Sequence, residues 1–223
     1  MDGNPIGFGN VFIFGSICWI GNIVVSDKHR KKGFGTEITE HLMQTGRDLG
    51  AVTFNLVATE VGEPIYRKLG FRTECMYEFY KRKGEPPELQ VSAKIREANP
   101  SDLHEIIDLD LRTTGERRED MISSLLNGSF VIERENELTG YFIRGLGDGL
   151  IVGIDPEAGI ELLIKKIVSS DRQVVIPESN HRAKKFLSDL GFEKKTELPR
   201  MTIGEKCSWK PVCIFSRGTG YCG

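Results

Sequence analysis

The sequence predicts an α/β protein whose layout occurs twice. Short runs of β-branched and aromatic residues alternate with stretches of helical periodicity along the chain. The stretch T-E-V-G-E-P-I-Y-R-K-L-G-F, ending at Phe71, returns as N-H-R-A-K-K-F-L-S-D-L-G-F, ending at Phe192. Each copy follows a strand-like run and ends in Leu-Gly-Phe. Between them lies K-R-K-G-E-P-P-E-L-Q, residues 81–90, which is charged, holds a Pro-Pro pair and has almost nothing to bury. That is the composition of a linker. The expected organisation is one domain over 1–84, a linker over 85–91 and a second domain over 92–223.

The elements follow in order. Residues 11–14 and 18–25 read as strands, with Gly15 and Ser16 to turn between them. Residues 36–49 read as a helix, because Ile38, Leu42 and Leu49 share a face and Gly50 stands at its end. Residues 52–58 are almost continuously apolar, which suits a buried parallel strand. A short helix over 64–69 has proline in its first turn and Gly70 as its stop. A strand is expected over 76–81. In the second copy, strands are expected over 94–97, 129–133, 138–143, 150–154 and 174–176, and helices over 102–111, 160–168 and 181–190. Weak late strands are expected over 201–203 and 211–215. Gly145, Gly147 and Gly149 suggest a phosphate loop, but strand-like segments flank them and no helix follows, which favours a hairpin turn.

Composition excludes several classes. The net charge of -2 gives no basic field for nucleic acid. No apolar run approaches the roughly 20 residues of a membrane span, and no signal sequence opens the chain. A cytoplasmic protein is expected. The five cysteines, Cys18, Cys75, Cys207, Cys213 and Cys222, form no C-x-x-C pair, so reduced thiols and no metal site are expected. The four histidines form no constellation; His29 stands beside the loop described next.

In V-V-S-D-K-H-R-K-K-G-F-G-T, residues 24–36, a strand ends, three cations and two glycines follow, and a helix begins. The first amides of a helix lack intrahelical partners, and with the helix dipole they form an anion site. Glycine lets the backbone approach a phosphate without a Cβ in the way. Each charge-assisted hydrogen bond there is worth roughly 1.5–3 kcal/mol. Arg30, Lys31 and Lys32 add positive charge, so a pyrophosphate is the natural guest. The spacing fits neither G-x-x-x-x-G-K-[ST] nor G-x-G-x-x-G, which excludes the nucleoside-triphosphate P-loop and the dinucleotide fingerprint.

The loop Arg30-x-x-Gly33-x-Gly35, followed by Ile65-Tyr66-Arg67-Lys68-Leu69-Gly70-Phe71, resembles the GNAT superfamily of N-acetyltransferases. The resemblance covers roughly residues 5–82. It implies two tandem domains, each with a mixed, mostly antiparallel sheet flanked by helices, and acetyl-CoA as co-substrate. Ile23, Val24 and Val25 would lie on the strand that splays from its neighbour and meets the pantetheine arm. Arg30, Lys31, Lys32, Gly33, Phe34, Gly35 and Thr36 would cradle the pyrophosphate. Tyr66 would be the general acid that protonates the departing thiolate. A phenol of reference pKa about 10 can donate to a thiolate of pKa about 8.5 at modest cost.

There are departures from the family pattern. Thr59 and Gly62 stand where the family often has Asn and Ala. The fourth family strand offers Asn22 instead of a carboxylate base, which leaves Glu60, Asp27 or a water chain as acceptors of the amine proton. The family's opening strand and two helices have no counterpart before the first hairpin, so the first domain is expected to be short at its N-terminus. The second copy has I-D-P-E-A-G-I at 154–160, with Asp155 and Glu157 in place of cations and Leu187 in place of the tyrosine. A degenerate, non-catalytic domain is expected there. Its tail P-R-M-T-I-G, 199–204, resembles the R-M-x-x-G of the extra domain in some tandem acetyltransferases. The expected activity is direct acetyl transfer from acetyl-CoA to a primary amine, on a small molecule or a protein. The alternative is a CoA-binding or ligand-sensing protein without catalysis. Nothing in the sequence sets the acceptor or the oligomeric state.

Overall fold

The computed structural model describes residues 5–84, 88–169 and 173–222. In chain order its elements are β1 (Gly7–Phe14), β2 (Ile17–Val25), α1 (Phe34–Asp48), β3 (Thr53–Val57), α2 (Glu63–Lys68), β4 (Arg72–Lys81), β5 (Ile95–Glu97), α3 (Leu103–Thr114), α4 (Glu119–Ser124), β6 (Phe130–Arg134), β7 (Glu137–Ile143), β8 (Leu150–Gly153), α5 (Pro156–Val168), β9 (Gln173–Pro177), α6 (His181–Asp189), β10 (Glu193–Gly204) and β11 (Ile214–Ser216). They form two compact units. The first comprises Met1–Glu74 and Leu198–Lys206, the second Cys75–Glu197 and Cys207–Gly223. The division expected at 1–84 and 92–223 follows chain continuity, whereas the units follow packing and take two strand segments out of sequence order. The expected linker falls partly outside the described residues, and 88–91 carry no regular structure.

In the first unit β1 and β2 form an antiparallel hairpin, turned by Gly15 at φ +66°. β2 runs parallel to β3 over Ile17, Cys18 and Trp19. Residues Arg200 to Gly204 of β10 then pair antiparallel with β3. β3 is therefore hydrogen-bonded on both edges, which accounts for its near-complete burial, the polar Thr53 and Asn55 included. Cys18, Ile20, Leu42, Met43, Phe54 and Leu56 bring one face of the sheet against α1. Arg200 is buried, pairs with Glu74 and lies 5.0 Å over the Trp19 ring. The tail motif at 199–204 thus serves as a sheet strand whose arginine is held by a carboxylate and an aromatic face.

The second unit has the strand order β11-β8-β7-β6-β5, with every neighbouring pair antiparallel. Tyr77 to Lys81 of β4 pair antiparallel with β9. Glu135 and Asn136, at φ +53° and +65°, make the tight β6–β7 turn, and both central residues of that turn type need positive φ. The glycine-rich stretch 144–149 joins two antiparallel strands, β7 and β8, as the hairpin reading requires. The core gathers Ile132, Phe142, Ile151, Leu162, Ile176 and Leu187 between sheet and helices.

Several elements differ from expectation: β1 and β4 each start four residues before the expected 11 and 76, and α3 runs on to Thr114. α4 is a six-residue helix that the periodicity missed, since a window so short holds little pattern. α5 begins at Pro156 rather than 160, because Asp155 caps it. β10 has 12 residues, but the first five are exposed and alternate charge with no apolar period, so only its buried end was readable. Residues Pro211–Cys213 form a 3-10 turn, and the strand starts at Ile214.

The second unit also buries an ionic cluster. Arg118 donates to Asp110 through Nε at 2.9 Å and through Nη2, and the Tyr141 hydroxyl donates to the same carboxylate. Glu116 lies 3.4 Å from Arg118 Nη1, and all four residues are at most 1–2% exposed. Burial pushes the Tyr141 phenol well above its ordinary pKa, and Asp110 adds to that rise. A buried charge is tolerated only while its partner remains. Arg118→Ala is expected to cost about 3–5 kcal/mol and Tyr141→Phe about 1–3 kcal/mol, read as lower urea midpoints at unchanged slope.

Candidate active site

The site begins with a bulge in β2. Between the pairs Phe8↔Val24 and Asn10↔Gly21, β1 advances two residues and β2 three. Asn22 takes up the extra length at φ +53°, a region that asparagine tolerates better than most residues. Past Trp19, β2 has left β3: among the described residues no ladder partner covers the β3-facing edge of 20–25. Ile23, Val24 and Val25 lie on this free stretch. Ile23 packs on the first unit's core, while Val24 is 46% exposed opposite the exposed Phe8.

The chain then passes through a 3-10 turn, Asp27–His29, into the loop. Ser26 Oγ and His29 Nδ1 are hydrogen-bonded at 2.8 Å, and the His29 ring meets Phe34 edge-on at 6.1 Å. Arg30 pairs with Asp27 at 2.9 Å, but both are exposed, so this bond contributes little. Lys31 sits at φ +60° and Gly33 at φ +92°. Gly33 is the N-cap of α1, and no side chain caps that helix. The amides of Thr36 and Glu37 turn back to the Gly33 carbonyl. Among the described residues nothing accepts from the amides of 31–35. Lys31 and Lys32 are exposed beside them. A 15-residue helix thus presents unpaired first-turn amides next to three cations.

The two glycines serve different ends. Gly33 needs its freedom for the backbone, since φ +92° disfavours any side chain. Gly35 does not: its φ is ordinary, and a Cβ would stand 3.5 Å from Ile65 Cδ1 and 4.0 Å from Val25 Cγ2, normal contacts. Nothing in these contacts requires a glycine at 35. The same contacts bring β2, α1 and α2 together at one point. Ile65 is the residue that the sequence reading left out of the site.

Tyr66 follows Ile65 on α2. It is half-buried, packs on the core and meets Phe71 edge-on at 6.0 Å. Its ring folds back over Gly62, where a Cβ would come within 2.9 Å of Cε2 and 3.3 Å of the hydroxyl. Burial raises the phenol pKa. The carboxylates named as bases stand in the open: Asp27 holds Arg30, and Glu60 is exposed. Asn22 is exposed at the bulge.

The corresponding helix start in the second unit satisfies itself. Asp155 caps α5, accepting from the amides of Glu157 at 3.2 Å and Ala158 at 3.3 Å. Pro156 removes another amide. Arg134 holds the capping carboxylate at 2.6 Å. Leu187 is buried where the first copy has its tyrosine. Among the described residues no cluster of His, Cys, Asp and Glu is placed to hold a metal, and no helix is long and apolar enough to cross a membrane.

Two acetyltransferase (GNAT) domain models match the sequence, one over residues 1–73 and the other over 106–212. The chain belongs to the GNAT acetyltransferases, as a tandem of two such domains, and is an acetyl-CoA-dependent acyltransferase. It is 23% identical over 218 residues to the uncharacterized N-acetyltransferase YitH of Bacillus subtilis (strain 168), covering 92% of this chain and 77% of that protein. Its fold is similar to that of a putative acetyltransferase from Pyrococcus horikoshii, with a TM-score of 0.84 at 23% identity over 98% of this chain and 76% of the other. It is also similar to a GCN5-related N-acetyltransferase from Sphaerobacter thermophilus, with a TM-score of 0.62 at 18% identity over 94% and 81%.

The two glycines can be separated by stability alone. Gly33→Ala is expected to cost about 1–2 kcal/mol. Gly35→Ala should leave stability unchanged or raise it by up to about 1 kcal/mol. Chemical denaturation of both variants checks this.

Proposed function

We propose that the first copy carries the activity, transferring the acetyl group of acetyl-CoA directly to a primary amine on a small molecule or a protein. The observation that supports this best is the uncapped start of α1 among Arg30, Lys31 and Lys32. Amides 31–35 and the cations would take the pyrophosphate, and Phe34 and Thr36 would flank it. The free edge of β2 at Ile23, Val24 and Val25 would pair with the amides of the pantetheine arm, directing the acetyl group toward Tyr66.

The neutral amine nitrogen then attacks the acetyl carbonyl, the carbon–sulfur bond breaks, the Tyr66 hydroxyl gives its proton to the sulfur, and the extra proton shed by the new amide nitrogen leaves through water and restores the Tyr66 phenol. The attacking amine must first lose a proton, which for a lysine-like group costs about 4.6 kcal/mol at pH 7. With Asn22 at the bulge and both nearby carboxylates exposed, water is the acceptor that fits this arrangement. The second copy has a capped helix start and a leucine in place of the tyrosine, and we read it as non-catalytic.

Calorimetric titration of acetyl-CoA into the wild-type chain and into Gly35→Val tests the site. Binding by the first and loss in the second is expected; equal binding by both would move the pyrophosphate elsewhere. Tyr66→Phe should lower kcat by about 10²-fold or more while leaving acetyl-CoA affinity unchanged. The rise in the Tyr66 pKa has a sign. The phenol stays protonated beyond the ordinary value of about 10, so a basic limb due to Tyr66 must lie above that pH. A limb set by Tyr66 well below pH 10 would contradict the assignment.

A further inference from the structure

β8 and β9 stand in the second unit as β2 and β3 stand in the first: strand, helix, strand, then the helix into Leu-Gly-Phe. In the first unit the two strands pair before they part. In the second, among the described residues, no ladder joins them, and β11 occupies the gap. Ile214 pairs with Val152 and Ser216 with Ile151, on β8. On the other side, the amide of Arg217 donates to the Val175 carbonyl of β9 at 2.8 Å. The side chain of Asn180, at the start of α6, donates to the Ile214 carbonyl at 2.9 Å. Ile214, Phe215 and Ser216 are at most 1% exposed. The Phe215 ring lies so close to α5 that a Cβ at Gly159 would stand 2.2 Å from it. Beyond the strand, the Gly218 carbonyl accepts from Asp148 at 2.7 Å, and the Arg217 guanidinium lies 5.2 Å from the rings of both Tyr77 and Phe79.

We propose that the C-terminal segment 211–222 is the resident occupant of the second copy's cofactor groove. It takes, by strand pairing, the backbone groups that an extended amide-bearing arm would otherwise meet, so the second copy binds no acetyl-CoA. Three independent features agree. The groove's two walls are hydrogen-bonded to one inserted strand. The helix start that would face a pyrophosphate carries its own carboxylate, Asp155. Gly159 receives an aromatic ring of the chain itself. The occupant is fixed: a segment with buried partners on β8, β9, α5 and α6 is part of the core, and its opening is global unfolding. The inference rests on the proposed first-copy site only for its internal control.

Hydrogen exchange on the full chain, with and without saturating acetyl-CoA, tests it. The amides of 214–217 are expected to exchange as slowly as those of β7, at a rate that acetyl-CoA leaves unchanged, while those of 31–36 gain protection on binding. Fast local exchange at 214–217, or exchange that speeds up when acetyl-CoA is added, would overturn the proposal, because the segment would then be displaceable. A second equivalent of bound acetyl-CoA by native mass spectrometry would overturn it too. If 31–36 gain nothing while 214–217 stay slow and unchanged, the first-copy site is refuted and this assignment stands.

Discussion

A helix start must find acceptors for its first amides, and the two units solve that problem in opposite ways. α1 opens from Gly33 with no side chain to cap it and with cations around it. α5 opens from Asp155, whose carboxylate takes two amides and is held in turn by Arg134. Much of each unit's character follows from this difference. An uncapped start leaves its amides to water or to an anion from outside. A capped one has no such need, and the groove beside it can be given over to packing.

The bulge at Asn22 is the counterpart on the strand side. Without the extra residue, β2 would keep a regular ladder with β1, and the direction of 23–25 would follow from it. With it, the strand bends and twists where it leaves β3. In the second unit β8 ends at Gly153, and the separation from β9 is filled by a strand. The same divergence of neighbours is open in one copy and closed in the other.

Sequence legibility followed the range of the interactions. The loop at 30–36 and the helix after it were readable because glycine, cation and cap signals act within a few residues. Gly50 and Gly70 marked helix ends for the same reason, and both take positive φ. The role of Asn22 was not readable: a positive φ at asparagine leaves no trace in hydrophobic periodicity. Ile65 was missed because its contact with Gly35 joins segments thirty residues apart, a tertiary relation. The charged first half of β10 looked like loop, since pairing, not apolar pattern, makes it a strand. β11 is three residues long, and its place depends wholly on a groove made by distant elements. In the sequence Asp155 reads as a charge that would repel an anion, whereas its work as a cap emerges only from its hydrogen bonds.

The first unit includes Leu198–Lys206, a segment encoded after nearly all of the second. β3 depends on it for one of its two edges. During synthesis, residues 1–74 therefore leave the ribosome with an incomplete sheet and wait for a strand that arrives more than a hundred codons later. In that interval the bare edge of β3 is open to wrong partners. A stop codon anywhere before position 198 would thus strike the half of the protein that has already been made. At the level of the gene, the two halves of this tandem are one inheritance.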